Sequence, residues 1–171
     1  SLEHDPYRLN VVRVTDARGN RLEGAIDYHV LAPDRITDPN GNIAEVQYDA
    51  LAVTVRSTTH GHILSTRGTV ERHGNEPLAI YRPQPDESFA SIVAEPERFL
   101  QGASAFLHYD LDAWGTTGRP TRSVALARED FVRDGEGGAT ATGAIQIGIN
   151  YLDGLGRVLQ SKTRVEPGPA D

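Results

Sequence analysis

The sequence contains no cysteine and no methionine, and both absences narrow what the chain can be. Without cysteine there is no disulfide, no Cys-x-x-Cys metal site and no thiol nucleophile. Export stays open, because 171 residues are enough to bury a core without covalent cross-links. Since there is no initiator methionine, we expect the chain to be a piece of a longer polypeptide.

Long apolar runs and concentrated positive charge are also missing. No stretch of about 18 apolar residues occurs, and residues 1–5 do not resemble a signal peptide. The net charge is -7, and the 17 basic residues are scattered among 24 acidic ones. Because phosphate-backbone binding needs clustered lysine and arginine, this pattern argues against a nucleic-acid partner. The missing apolar run argues against membrane insertion by this segment.

What the chain does contain is a recurring turn, Thr-Asp-x-x-Gly-Asn, followed each time by a strand that includes a tyrosine. Glycine tolerates positive φ, and the aspartate can bond the backbone amides of the turn. The residues are Asp16, Gly19, Asn20 and Tyr28 in the first copy, and Asp38, Gly41, Asn42 and Tyr48 in the second. The repetition predicts a protein built from antiparallel hairpins.

Alternation of apolar and polar residues predicts strands at 9–14, 21–31, 44–55, 105–111, 121–128, 145–151 and 158–165. Residues 58–85 have little pattern and are predicted to be loop, with at most a short strand at 78–81. Helical spacing predicts a short helix near 87–94 and a second that begins with Pro96. We therefore predict one mostly β domain over 1–171, with an insertion of loop and short helices at 58–104 and a mobile glycine-rich tip at 134–143.

Several segments, in order, are similar to the Rhs/YD repeats of large bacterial toxins and surface proteins. Tyr-Asp pairs occur at Tyr48-Asp49 and Tyr109-Asp110, and Tyr151 is followed by Asp153, Gly154, Gly156 and Arg157. The order of segments resembles the B component of insecticidal toxin complexes, also called SpvB-like, in the part that follows its β-propeller. The other segments that carry this resemblance are 5–7, 14–16, 27–31, 37–42, 106–111, 126–129 and 166–168. The sequence departs from the family pattern at Ala52, where a glycine is usual.

The resemblance implies a structural role for a secreted virulence protein. In that family such strands form a curved β shell, which encloses a toxic cargo and involves a C-component partner. It implies no cofactor and no catalytic residue. The partners would be the rest of the same polypeptide and a C-component-like shell, with self-association through exposed strand edges as a further expectation.

Two other functions stay open at this stage. A β-sandwich could bind a glycan or a receptor through Trp114 and the 58–85 loops. A metal-dependent hydrolase could use His60, His62 and His73 as ligands, although loop histidines without a paired carboxylate are a weak signal. The spacing of Asp38, Asn40 and Asn42 superficially matches a calcium loop but lacks its glycine and glutamate positions. The four tyrosines fall on the apolar side of their strands, which favours core packing over sugar stacking, with each phenol bonded near the rim of the sheet.

Overall fold

The computed structural model describes residues 1–64, 66, 68–134 and 143–164. In this part of the chain twelve strands form one antiparallel sheet. The strands are β1 (Leu2–His4), β2 (Val11–Thr15), β3 (Arg21–Asp27), β4 (Ala32–Thr37), β5 (Ile43–Tyr48), β6 (Thr54–Leu64), β7 (Val70–Gly74), β8 (Ala105–Asp110), β9 (Thr121–Arg128), β10 (Arg133–Asp134), β11 (Ile145–Leu152) and β12 (Val158–Thr163). The prediction of a mostly β protein of antiparallel hairpins is confirmed.

The sheet follows the chain almost strand by strand, in the order β1-β2-β3-β4-β5-β6-β8-β9-β11-β12. β7 pairs with the far half of β6 and with β10, to one side of this path. Bulges interrupt four ladders: β1 with β2, β3 with β4, β5 with β6, and β11 with β12. Because a bulge bends its strand and increases the local twist, these irregularities favour a curved sheet over a flat one.

Three short helices accompany the sheet: α1 (Phe89–Ala94), α2 (Pro96–Leu100) and α3 (Ala113–Thr117). Ser88 caps α1 by accepting the Ser91 amide, and Pro96 opens α2, where its missing N–H is no loss. The two predicted helices are therefore confirmed. None of the helices in the described residues is long and apolar enough to cross a membrane.

The core lies where α1 and α2 pack on β8, β9 and β11. We call this side of the sheet the helix face and the opposite side the open face. The cluster consists of Ile92, Phe99, Leu100, Ala103, Phe106, Val124, Leu126 and Ile147. Phe106 pairs with Leu126, which in turn pairs with Ile147, so one row of cross-strand neighbours lies beneath the helices.

The predicted loop at 58–85 is wrong in two places, because β6 continues to Leu64 and β7 spans 70–74. The prediction took the glycines of this segment as signs of a loop. A Cβ on Gly61 would lie 2.4 Å from Asn42 Oδ1, and one on Gly74 would lie 2.7 Å from the Thr59 carbonyl oxygen. These glycines allow close approach inside a sheet and do not interrupt it.

Three smaller boundaries also differ from expectation. Residues 78–80 form a 3-10 turn and not a strand, and Glu45 accepts the Leu78 amide at 2.9 Å. β3 ends at Asp27 and not at residue 31, and β4, which the alternation did not predict, contains Pro33 next to the bulge opposite Ile26. Proline is tolerated there because a bulge relaxes the ladder. The predicted tip at 134–143 lies outside the described residues except at its two ends.

Candidate functional site

Asp16 and Asp38 hold two hairpin loops by the same set of contacts. In each loop Oδ1 accepts two backbone amides, from Arg18 and Asn20 in the first and from Asn40 and Asn42 in the second, at 2.7–2.9 Å. The asparagine side chain donates to Oδ2 at 2.7 and 2.8 Å. Both carboxylate oxygens of Asp16 and of Asp38 thus accept hydrogen bonds from their own turn. This use of the Asp38 carboxylate favours a turn-closing role over a calcium site.

The same loop occurs twice more, after β5 and after β11. Asp49 accepts the amides of Leu51 and Val53, at 2.8 and 2.9 Å. Asp153 accepts those of Leu155 and Arg157, both at 2.9 Å, and its Oδ2 receives Arg157 Nε at 2.7 Å. We call these four turns the aspartate loops, defined by the segments 16–20, 38–42, 49–53 and 153–157.

The fourth residue of every aspartate loop has a positive φ. Three of these residues are glycines, at +86° (Gly19), +82° (Gly41) and +79° (Gly156). The fourth is Ala52, at +62°. An alanine in this region carries strain that glycine avoids. The departure of Ala52 from the family pattern therefore leaves the loop geometry unchanged and adds local strain.

Ionised carboxylates suit these loops. The Asn20 side-chain amide, followed by backbone amides, lowers the pKa of Asp16, and the Asn42 side chain does the same to the pKa of Asp38. For Asp153 the pKa falls chiefly because of the Arg157 backbone amide, followed by its side chain. Each shift favours the charged form, because the donors point at the anion.

The four motif tyrosines do not form the core, contrary to expectation. Tyr28 lies in the turn after β3 with 45% of its surface exposed, and its hydroxyl donates to buried Asp5 at 3.0 Å. The Tyr48 hydroxyl donates to the Pro33 carbonyl oxygen at 2.9 Å. Tyr109 lies on the open face, whereas Tyr151 lies on the helix face under the Lys162 ammonium. The predicted bonding of the phenols near the sheet rim is seen for Tyr28 and Tyr48.

The histidine candidates lie on two different sides of the sheet. His60 and His62 alternate along β6 and share one face, whereas His73 pairs directly with Gly61 and therefore lies on the other. His60 Nε2 is 3.4 Å from a Glu45 oxygen. No group of three potential metal ligands is found within the described ranges.

Arg56 is an important residue that the sequence did not reveal. It is 7% exposed on the helix face, with its guanidinium carbon 4.2 Å from the Tyr81 ring centroid and Nη2 2.9 Å from Glu87. The sequence assigned no face to Arg56, because the predicted strand ended at residue 55. No local signal marks a strand arginine as buried, because its partners come from distant segments.

Trp114 lies in α3 and is 69% exposed. It borders a cleft of about 300 Å³ at the end of the sheet where β9, β11 and β12 meet. The other lining residues are Pro120, Thr121, Leu152, Asp153, Gly154 and Leu159. The three histidines do not line it, so the two parts of the predicted glycan or receptor site are not brought together.

No protein-family model matches the sequence, and no curated protein matches it. Solved structures do match. The crystal structure of TcdB2-TccC3 aligns with a TM-score of 0.79 and 22% identity, over 98% of this chain and 7% of that chain. The chain shares its fold with a segment of Tc toxins.

Two further structures give the same result. The Photorhabdus luminescens Tc holotoxin pore aligns with a TM-score of 0.77, and the TcdB2-TccC3-Cdc42 crystal structure with 0.75. Both are 16% identical and cover 98% of this chain and 10% of theirs. The chain thus spans no more than a tenth of the solved chains it matches, and at these identities the likeness establishes the fold alone.

Proposed function

We propose that this chain is a non-catalytic structural segment of a bacterial toxin complex, contributing to a β shell that encloses a toxic cargo. The observation that carries the proposal is the form of the sheet. In the described residues β1 and β12 each pair on one side only, so the sheet is open at both ends. An open sheet of this kind is completed by further strands.

The comparisons support this proposal. The likeness spans 98% of the chain, and the matching structures are named as assemblies of toxin components. Within that class, the Tyr-Asp pairs and the aspartate loops favour the B component, also called SpvB-like, with its Rhs/YD repeats. The partners would then be the remainder of the same polypeptide and a C-component-like shell, in a secreted virulence factor.

The use of the polar residues supports a non-catalytic role. The aspartates of the repeated motif bond backbone amides within their own loops, as in the Asp38 and Asp153 turns. The buried Arg56 is paired with Glu87 and stacked on aromatic rings. General acid or base chemistry needs a group within reach of a reacting proton, whereas these groups are engaged in holding the fold.

A chimera would test the proposal. The segment of the TcdB2-TccC3 chain that aligns with this protein would be replaced by this protein, and protection of the cargo from added protease would be measured. We expect protection equal to that of the unmodified chain. The matched control carries Leu126→Asp, which places a charge in the core and should abolish protection. A chimera whose inserted segment is folded while its cargo is digested would contradict the proposal.

The two rival functions have their own tests. Saturable binding on a glycan array, lost in Trp114→Ala, would favour a glycan-binding module. Stoichiometric metal in an elemental analysis, lost in His60→Ala, would favour the hydrolase.

A further inference from the structure

The cleft beside Trp114 is lined mostly by apolar residues, and its one carboxylate is already hydrogen-bonded. Four of its lining residues are large and apolar, namely Trp114, Pro120, Leu152 and Leu159. Asp153 is the one ionisable side chain among the described residues that line it. Both oxygens of that carboxylate are already engaged within the aspartate loop, with two amides and the Arg157 guanidinium. The cleft therefore lacks the free carboxylate that would bind sugar hydroxyls, and it suits an apolar group.

The cleft adjoins a free strand edge. Within the described ranges β12 pairs only with β11, and all six of its residues are exposed. It contains no proline, and its one lysine, Lys162, extends over the Tyr151 ring, although the bulge in its ladder with β11 gives it some protection. β1, at the other end of the sheet, has only three residues and a bulge. The longer of the two edges is thus the one that borders the cleft.

The cleft lies on the open face. Thr121 pairs directly with Leu152, and both have the parity opposite to the core residue Val124 and its partner Ile149, which packs against the core. A strand added outside β12 would direct alternate side chains to this face. The side chain nearest to the start of β12 would lie beside Leu159, which is 62% exposed.

We propose that the β12 edge and the Trp114 cleft form one docking surface for an extended polypeptide segment. The segment adds as a strand alongside β12 and places a leucine-sized or phenylalanine-sized side chain against Trp114. Main-chain hydrogen bonds supply the pairing, and the cleft selects the side chain and fixes the register. The inference rests on the proposed shell function, in which the sheet continues beyond β12, and it specifies the partner that this edge accepts.

The single tryptophan of the chain is the reporter. The protein would be titrated with the peptide acetyl-Thr-Val-Thr-Phe-Thr-Val-amide, and with a control peptide that has glycine in place of phenylalanine. Tryptophan emission and amide hydrogen exchange along β12 would be measured together. We expect the emission to move to shorter wavelength and β12 amides to exchange more slowly. The glycine peptide should need at least about tenfold more peptide for half saturation, because the apolar contact is lost.

Two surface variants make the test specific. Leu159→Lys places a charge at the mouth of the cleft and should abolish the emission shift. Leu64→Lys changes an equally exposed leucine at the end of β6 and should leave the titration unchanged. Since both side chains are exposed, neither variant threatens folding.

Each other outcome overturns the inference. An emission shift without protection of β12 means that the cleft binds apolar groups but no strand. Protection without an emission shift means that the edge pairs but the cleft does not take part. An emission shift that grows with protein concentration when no peptide is added means that a second copy of this chain occupies the docking surface. If the peptide fails while the chimeric shell protects its cargo, the docking surface is wrong and the shell function stands.

Discussion

Replacing Ala52 with glycine should stabilise this protein. Ala52 has a φ of +62° at the position that glycine occupies in the other three aspartate loops. A residue with a Cβ loses about 1–2 kcal/mol in the left-handed region. Glycine loses about 0.4–1 kcal/mol more chain entropy than alanine when the protein folds. The difference favours Ala52→Gly by about 0.5–1 kcal/mol.

No other contact should change. Ala52 is exposed, and the neighbouring Leu51 and Val53 amides keep their bonds to Asp49. For a chain of this length the gain corresponds to a rise in Tm of about 1–4 °C. Urea and thermal unfolding, followed by circular dichroism, would measure it.

Two matched variants isolate the backbone as the cause. Gly41→Ala puts a Cβ where nothing lies within 4 Å, so strain alone should destabilise it by a similar amount. Ala44→Gly, at an exposed position in β5, should also destabilise, by about 0.5–1 kcal/mol, because that backbone is ordinary strand. The reasoning is refuted if Ala52→Gly lowers stability as Ala44→Gly does.

Three other results are expected. Stability should fall as the pH drops below about 4, because the pKa values of Asp16, Asp38 and Asp153 are lower in the folded protein than in the unfolded chain, and the stability they contribute is lost as they protonate. Urea midpoints at pH 5 and pH 3 should differ less in Asp38→Asn than in the original protein. An unchanged difference would count against the role of that carboxylate. Leu126→Ala should lower the free energy of unfolding by about 2–5 kcal/mol, because it leaves a cavity in the core. Leu64→Ala, at an exposed site, should change it by no more than about 0.5 kcal/mol. Similar losses in the two variants would contradict the assignment of Leu126 to the core. Glu87→Gln should lower the free energy of unfolding by about 1–3 kcal/mol, since it leaves the Arg56 guanidinium buried beside Tyr81 without its anion. Adding Arg56→Met should recover part of that loss. A double variant less stable than Glu87→Gln alone would contradict this account.

The sequence revealed the parts of the fold that depend on short-range chemistry. The Asp16, Asp38 and Asp153 turns were visible because an aspartate and a glycine stand at fixed spacing within five residues. The turn at Asp49 has the same bonds but has Ala52 in place of glycine, so a search for glycine passes over it. A turn of this kind can be predicted from the sequence only when glycine, the usual residue at positive φ, occupies the fourth position.

Long-range packing explains the failures. Gly61 and Gly74 have the appearance of loop residues, and only the approach of Asn42 and Thr59 shows why they belong in strands. Arg56 is buried because Tyr81, Phe106 and Glu87 surround it. The tyrosines were assigned to the core from parity, but the core is built from other residues, and the Tyr28 and Tyr48 hydroxyls bond to Asp5 and to the Pro33 carbonyl oxygen. None of these partners is near in sequence to the residue that it explains.

The order of the sheet has a consequence for how such a protein is made and how it changes. From β1 to β6 each strand pairs with the one synthesised just before it, and an aspartate loop closes three of these five connections from within. Contacts of this kind are local in the chain and form quickly. Each hairpin can therefore settle on its predecessor while the ribosome is still extending the polypeptide. A gene encoding such a sheet can also gain or lose a hairpin by duplication or deletion, with little effect on the pairing of the others.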